Sequence, residues 1–248
     1  MQLSDIHVRE DDAGPAQRLR AALRGVGALL PRPDALLLSG DLVDEPSPAA
    51  YARVRSLVGE TGLPVHALPG NHDDRALLRG AFGSPHAEPG APVCFASRCG
   101  AIRLVGLDST EPGHEAGALG QARLAWLERT LGEDRATPTL LALHHPPVLT
   151  GVGRMDAIAL AAPDREALAS LLGEHPQVGA VTCGHVHTTM TTAYAGRALL
   201  VCPAVNSTLA LDLRADAELA FDTGGPLRGY AAHELVDGRI VSHVQALA

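Results

Sequence analysis

Five short polar clusters, each set directly after an apolar run, dictate how this chain can fold. They read Asp5-Ile6-His7, Gly40-Asp41-Leu42-Val43-Asp44, Gly70-Asn71-His72-Asp73, His144-His145-Pro146-Pro147 and Gly184-His185-Val186-His187. The loops at the carboxyl ends of the strands of an α/β sheet gather in one crevice, so polar groups far apart in sequence converge there. A lone DxH or GHxH is more often an ordinary surface or core histidine. Five clusters in this order, each at the end of a strand-like run, are not explained that way.

The apolar runs read as buried strands over Ala35–Ser39, Val65–Leu68, Ile102–Leu107, Thr139–Leu143 and Ala180–Cys183. Helical spacing lies between them, over Ala16–Leu30, Pro48–Gly59, Gln121–Leu131 and Asp164–Leu172, with Ser47-Pro48 as an N-cap and first-turn pair. From about Arg197 the pattern becomes strands without helices. These are Leu199–Cys202, Leu209–Leu213, Tyr230–Val236 and Ile240–Val244, with Asp237-Gly238 as a hairpin turn. The expected fold class is α/β, a two-sheet αββα sandwich whose second half is largely antiparallel, with residues 1–248 forming a single domain. The stretches Gly83–Pro92 and 215–227 read as surface loops.

Composition narrows the function. Of 248 residues, 46% are hydrophobic and 19% charged, which excludes disorder as the main state. No stretch approaches the ~20 apolar residues of a bilayer span, and the opening residues have no signal-peptide pattern, so a cytoplasmic location without membrane association is expected. A net charge of −8 with no Lys/Arg block disfavours duplex nucleic acid as a partner. Four cysteines without CxxC spacing suggest neither a zinc ribbon nor a redox pair.

The clusters offer carboxylates, imidazoles and an amide oxygen. That donor set suits Mn, Fe or Zn and holds too many nitrogens for Mg or Ca, and it is large enough for a binuclear centre. In Asp5-x-His7 and His185-x-His187 an extended backbone would aim residues i and i+2 into one site and pack the apolar middle residue behind. Asp41 is placed to bridge two cations. Glycines before three of the clusters allow a sharp turn without a Cβ in the way.

The ordered set DxH, GDxxD, GNHD, HxP and GHxH resembles the calcineurin-like metallophosphoesterases, and the chain is similar in particular to their bacterial cyclic nucleotide phosphodiesterases, the cyclic-AMP type. Gly70 to Arg75, the segment Gly117–Leu131, Leu143–Pro147 and Gly229-Tyr230 carry that nearer resemblance. It implies two transition-metal cations. Asp5, His7 and His187 would hold one, Asn71, His144 and His185 the other, with Asp41 bridging. His144 comes directly off its strand and is preferred, although His145 also satisfies HxP through Pro147. Asn71 and His72 would also contact the substrate phosphate, with Asp44 and Asp73 orienting their neighbours.

By the same resemblance the chain hydrolyses small phosphodiesters, 3′,5′-cyclic nucleotides first, through in-line attack on phosphorus by a water activated between the cations. His72 is the expected catalytic residue, assisting the leaving oxygen. Two divalent cations with Asp5, Asp41 and one hydroxide leave the site at about +1, so an acidic protein can still bind a phosphate. A phosphomonoesterase or a nucleotide pyrophosphohydrolase could use the same core. A non-catalytic scaffold would lack ligands or His72, and none is missing. A two-fold homodimer is the default assembly. Only Met1 to Ser4 precede Asp5 where relatives carry a longer first strand, and Leu209–Leu213 replaces residues that are often polar. Arg75 reads as a solvated helix-start residue, Asp108 as a turn former or orienting group, and Trp126 as a core aromatic; His114 lies in the Ser109–Gly120 loop that could border the site, and reads more simply as a loop histidine outside it.

Overall fold

A computed structural model of the chain describes residues 1–83, 90–214 and 216–247. Residues 84–89 of the expected Gly83–Pro92 loop, His86 included, and Ala215 of the second expected loop lie outside the described residues. The first half runs β1 (Gln2–Leu3), α1 (Ala13–Gly27), β2 (Leu36–Ser39), α2 (Pro48–Gly59), β3 (Val65–Leu68), α3 (Arg75–Phe82), β4 (Phe95–Cys99) and β5 (Ile102–Gly106). It continues through α4 (Gly120–Glu133), β6 (Thr139–Ala142), α5 (Gly153–Ala157), α6 (Ala162–Gly173), β7 (Val178–Cys183), β8 (Met190–Tyr194) and β9 (Arg197–Val201). The chain ends with β10 (Thr208–Leu209), β11 (Phe221–Asp222), β12 (Gly229–Val236) and β13 (Arg239–Ala246).

Two sheets face each other. One has the order β13-β12-β1-β2-β3 and the other β4-β5-β6-β7-β9-β8, with β10 and β11 as a separate two-stranded hairpin. Strand periodicity divides the core into three interfaces. Leu36 and Leu38 pack outward with Leu19, Val26, Val54 and Leu57 of α1 and α2, whereas Leu37 between them packs inward with Leu104, Leu140 and Ala180 of the other sheet. Val105, Leu141 and Val181 point to the far side and pack with Leu127 of α4 and Leu168 of α6. Helices, sheet, sheet, helices is the αββα sandwich expected from the sequence.

Local chemistry fixes the helix starts. Ser47 accepts a hydrogen bond from Ala50 N at 3.1 Å with Pro48 at the first helical position, and Asp12 and Asp74 cap α1 and α3 in the same way. Each cap contributes ~1 kcal/mol. At Asp237-Gly238 both residues have positive φ, 48° and 74°, the geometry of a two-residue hairpin turn between β12 and β13.

The second half is largely antiparallel, as expected, through the pairs β8–β9, β10–β11, β12–β13 and β1–β12, while β9 also runs parallel to β7 and extends the second sheet. Two expectations are corrected. Of Leu209–Leu213, only Leu209 lies in a strand. The chain leaves the sandwich there, so Leu211 and Leu213 have no sheet to cover and are 67% and 63% exposed. The expected loop 215–227 contains β11. Helix α3 and strands β4 and β8 were not legible as elements. Among the described residues no helix is long and apolar enough to cross a membrane.

Strand β1 spans two residues between β2 and the eight-residue β12. Beyond its start lies a cavity of about 470 Å³ lined by Met1, Ala35, Leu37, His233 and Leu235. Ala35 precedes β2 whereas Asp41 follows it, so this cavity sits at the opposite end of the sheet from the polar clusters.

Candidate metal centre

The five clusters meet above the carboxyl ends of β1, β2, β3, β6 and β7, drawing residues from both sheets. Donor atoms of Asp5, His7, Asp41 and His187 lie within 4.8 Å of one another, as do those of His144, His145 and His185, and those of His7, Asp44 and His72. Asp41 connects the first two groups. Its Oδ2 is 3.6 Å from His7 Nε2 and 3.5 Å from His144 Nε2, charge contacts too long to count as hydrogen bonds.

The backbone that delivers these side chains is not the extended one expected. Asp5 and His7 have φ of 52° and 48°, His185 and His187 of 74° and 56°, and Asp41 of 51°. Five non-glycine residues in the left-handed region, each costing of order 1–3 kcal/mol, mark strain held in place by the surrounding structure. Ile6 and Val186 are fully buried behind the site, as the i, i+2 reasoning required, but turns rather than strand pleat achieve it. Hydrogen bonds hold these turns: Ile6 N and His7 N both donate to Asp41 O, and Val8 N donates to Leu42 O. The glycines serve two purposes. Gly40 turns at φ 100°, and a Cβ there would overlap the His144 ring; a Cβ on Gly70 would overlap the Asp41 carboxylate without any special φ.

Hydrogen bonds outside the site set the histidine tautomers. His7 Nδ1 faces Asp44 Oδ1 at 3.1 Å, His144 Nδ1 the Ser39 carbonyl at 2.9 Å, and His187 Nδ1 the carbonyl and hydroxyl of Ser207 at 3.2 and 3.0 Å. Each Nδ1–H donates outward, which leaves an Nε2 lone pair facing inward. The Nε2 atoms of His7 and His187 then lie 3.0 Å apart. His144 Nε2, His185 Nε2 and Asn71 Oδ1 are buried with no hydrogen-bond partner. Buried polar atoms without partners are costly and rare. Three such atoms beside the facing Nε2 atoms of His7 and His187 are the arrangement that cations satisfy, so the residues fit a metal pair.

The charges agree. Burial opposes a charged Asp41, but His144, then His7 and His72, outweigh it and hold this carboxyl well below its usual range. Burial likewise works against a proton on His144, yet Asp41 raises it to about 9, while burial pushes His185 and His187 down. Without metal, protons gather around Asp41, and cations binding there would displace them.

His145 stands apart. Its Nε2 lies 3.0 Å from the Glu115 carbonyl, and its Nδ1 lies 2.9 Å from Ser109 Oγ, which also accepts from His145 N. Burial and neighbouring His144 push its pKa down to about 3. A neutral ring donating to Glu115 and accepting from Ser109 has no lone pair left to offer. Nothing in the sequence marked Ser109 or Glu115 for this part.

Around this core, Asp73 accepts from Leu42 N and Gly70 N at 3.1 and 2.9 Å and from Tyr51 Oη at 2.8 Å. Burial, then Asp41, raises Asp73 to about 6. His72 N donates to Asp41 Oδ1 at 3.0 Å, its Nδ1 donates to the Asp44 carbonyl at 3.0 Å, and its side chain is 41% exposed. Arg75 is not solvated: its Nε is 2.7 Å from Asp108, a buried carboxylate that also accepts from Val93 N and Thr110 N. His114 is exposed and joins none of the three donor groups. Trp126 is half-buried against the α4 side of the core.

Comparison with known proteins agrees with this geometry. The chain is 40% identical to a probable cyclic nucleotide phosphodiesterase of Synechococcus sp., over 82% of this chain and 78% of that one. It is 33% identical to a probable glycerophosphodiester phosphodiesterase of Arcobacter nitrofigilis, over 89% of this chain and 83% of that one. Its fold superposes on a dimetal phosphatase of Danio rerio with a TM-score of 0.73 at 17% identity, over 100% of this chain and 95% of the other. Residues 1–189, which include all five polar clusters, match the calcineurin-like phosphoesterase family, and the chain belongs to that family.

Proposed function

We propose that this protein hydrolyses small phosphodiesters, 3′,5′-cyclic nucleotides first, at a dinuclear metal centre within one domain spanning residues 1–248. Asp5, His7 and His187 would hold one cation, Asn71, His144 and His185 the other, and Asp41 both. The observation that carries this reading is the convergence of buried donor atoms, with the outward nitrogens of His7, His144 and His187 already committed. The mixed nitrogen and oxygen donors favour Fe, Mn or Zn. Bound there, two divalent cations polarise a phosphate oxygen and make water acidic enough to react near neutral pH.

The chain's own residues do the rest. Asp41, held as an anion, keeps two like charges close together. Asp44 orients His7 through its carboxylate and His72 through its carbonyl, so one residue aligns a ligand and the group beside the phosphate. With Nδ1 donating to that carbonyl, His72 presents Nε2 to the leaving oxygen, where a proton or a hydrogen bond stabilises the departing alkoxide. The similarity to both a cyclic nucleotide and a glycerophosphodiester phosphodiesterase supports diesters as the substrate class. The cytoplasm, where cyclic nucleotides are made, is the matching location.

The test is turnover of the Mn-loaded protein on a nitrophenyl phosphodiester beside its monoester, with Asp41→Asn as the blank. Faster diester cleavage that disappears in the variant is expected. Preference for the monoester would establish a phosphatase, and no activity on either would point to a scaffold.

A further inference from the structure

Resting on the phosphodiesterase reading, we infer that Phe221 is the platform on which the base of a cyclic nucleotide stacks. The aromatic supply of this chain is small, at 3% of residues. Tyr51, Tyr194 and Tyr230 are buried, and Phe82, Phe95 and Trp126 are partly covered. Among the described residues Phe221 alone is an exposed aromatic, 49% open to water. It stands beside the metal centre. Its ring centroid is 5.1 Å from that of His187, meeting it edge-on at 68°.

The position is fixed by the backbone. Leu209 N donates to the His187 carbonyl at 2.8 Å, Leu209 pairs with Phe221 across the β10–β11 hairpin, and Ala210 N donates to Ala220 O at 2.8 Å. The platform is thus hydrogen-bonded to the loop that carries a proposed ligand. A bare ring reads the π-face that every base shares, so the contact favours nucleotides over glycerol diesters without choosing among bases. A cyclic nucleotide separates phosphate from base by one ribose, which lets the phosphate sit on the cluster while the base reaches a ring packed against His187.

Phe221→Ala in the Mn-loaded protein should raise KM for cyclic AMP about tenfold, the size of a lost base–aromatic contact. kcat should stay within about twofold, and kcat/KM for glycerophosphoethanolamine, which has no ring to stack, should be unchanged. Phe221→Trp should keep the low KM, and calorimetric binding of the product AMP should weaken with Phe221→Ala and not with Phe221→Trp. Equal losses on both substrates would show a hairpin-packing role and overturn the inference, as would an unchanged KM for cyclic AMP. A protein that cleaves glycerophosphoethanolamine but not cyclic AMP would overturn it while leaving diester hydrolysis standing. Failure on both diesters would bring down the functional reading and the platform together.

Discussion

His7 and His187, 180 residues apart in sequence, bring their Nε2 atoms to 3.0 Å while Asp44 and Ser207 hold the opposite nitrogens. Burial disfavours a proton on His7, but Asp44, then Asp41 and Asp5, raise its pKa, so without metal a proton occupies the contact between the two Nε2 atoms, and a cation bound there would displace it. Metal binding to the folded site should therefore raise stability.

Asp44 is the key to one side of that pair. Asp44→Asn removes the charge that orients the His7 tautomer, so metal affinity should fall by about 10–100-fold while the fold remains. Metal titration followed by elemental analysis checks this. Undiminished affinity would show that the His7–Asp44 contact, 3.1 Å in the structure, does not set the ligand.

Gly70→Ala should be harmful for reasons of space alone. Its Cβ would collide with the Asp41 carboxylate, which also receives the His72 N–H. Displacing Asp41 should lower metal occupancy and cost about 1–3 kcal/mol. Thermal melts with and without metal separate the two effects, and a fully occupied, equally stable variant would refute the collision.

Tyr51 couples α2 to the Asn71–Asp73 loop. Its hydroxyl donates to Asp73 at 2.8 Å and accepts from Asp74 N at 2.9 Å, and the side chain is 1% exposed. Tyr51→Phe removes both the donor to Asp73 and the acceptor of the part-buried Asp74 N–H, so a loss of about 1 kcal/mol in denaturant unfolding is expected.

His233 supplies a pH dependence away from the metals. Between Gln2 Oε1 at 2.9 Å and Ser242 Oγ at 2.8 Å, its pKa is pushed down to about 3, by burial first and then by the Met1 ammonium and His243. The unfolded histidine takes a proton below about 6.5 that the folded one refuses. Stability is therefore complete above about 6.5 and falls as pH drops toward 3, with a slope of up to ~1.4 kcal/mol per pH unit, reduced by water reaching the half-buried ring. In metal-free protein, His233→Gln should flatten this part of the stability profile. An unchanged slope would assign the acid sensitivity to other groups.

How much of this was legible in the sequence depends on what each feature is made of. The strands leading into Asp41, Asn71 and His144 announced themselves because runs such as Leu36–Leu38 are buried on both faces and need unbroken apolar residues. The positive φ at Asp5, His7, His185 and His187 left no trace, since no glycine stands there and the strain is imposed by neighbouring loops. Leu209–Leu213 looked like a strand because an apolar run does not say whether a partner sheet is within reach. Phe221 was missed because an isolated aromatic in a polar loop becomes informative only when His187 is found beside it. The roles of Ser109, Glu115 and Ser207 depend on hydroxyl and carbonyl positions that residue type does not encode.

The central claim is that Asp41 joins two cation sites. Elemental analysis of Mn-loaded protein, with His144→Ala and His7→Ala measured alongside, tests it most directly. Two metals per wild-type chain, about one in each histidine variant and fewer than one in Asp41→Asn are predicted. A single metal in the wild type, or two in Asp41→Asn, would contradict it.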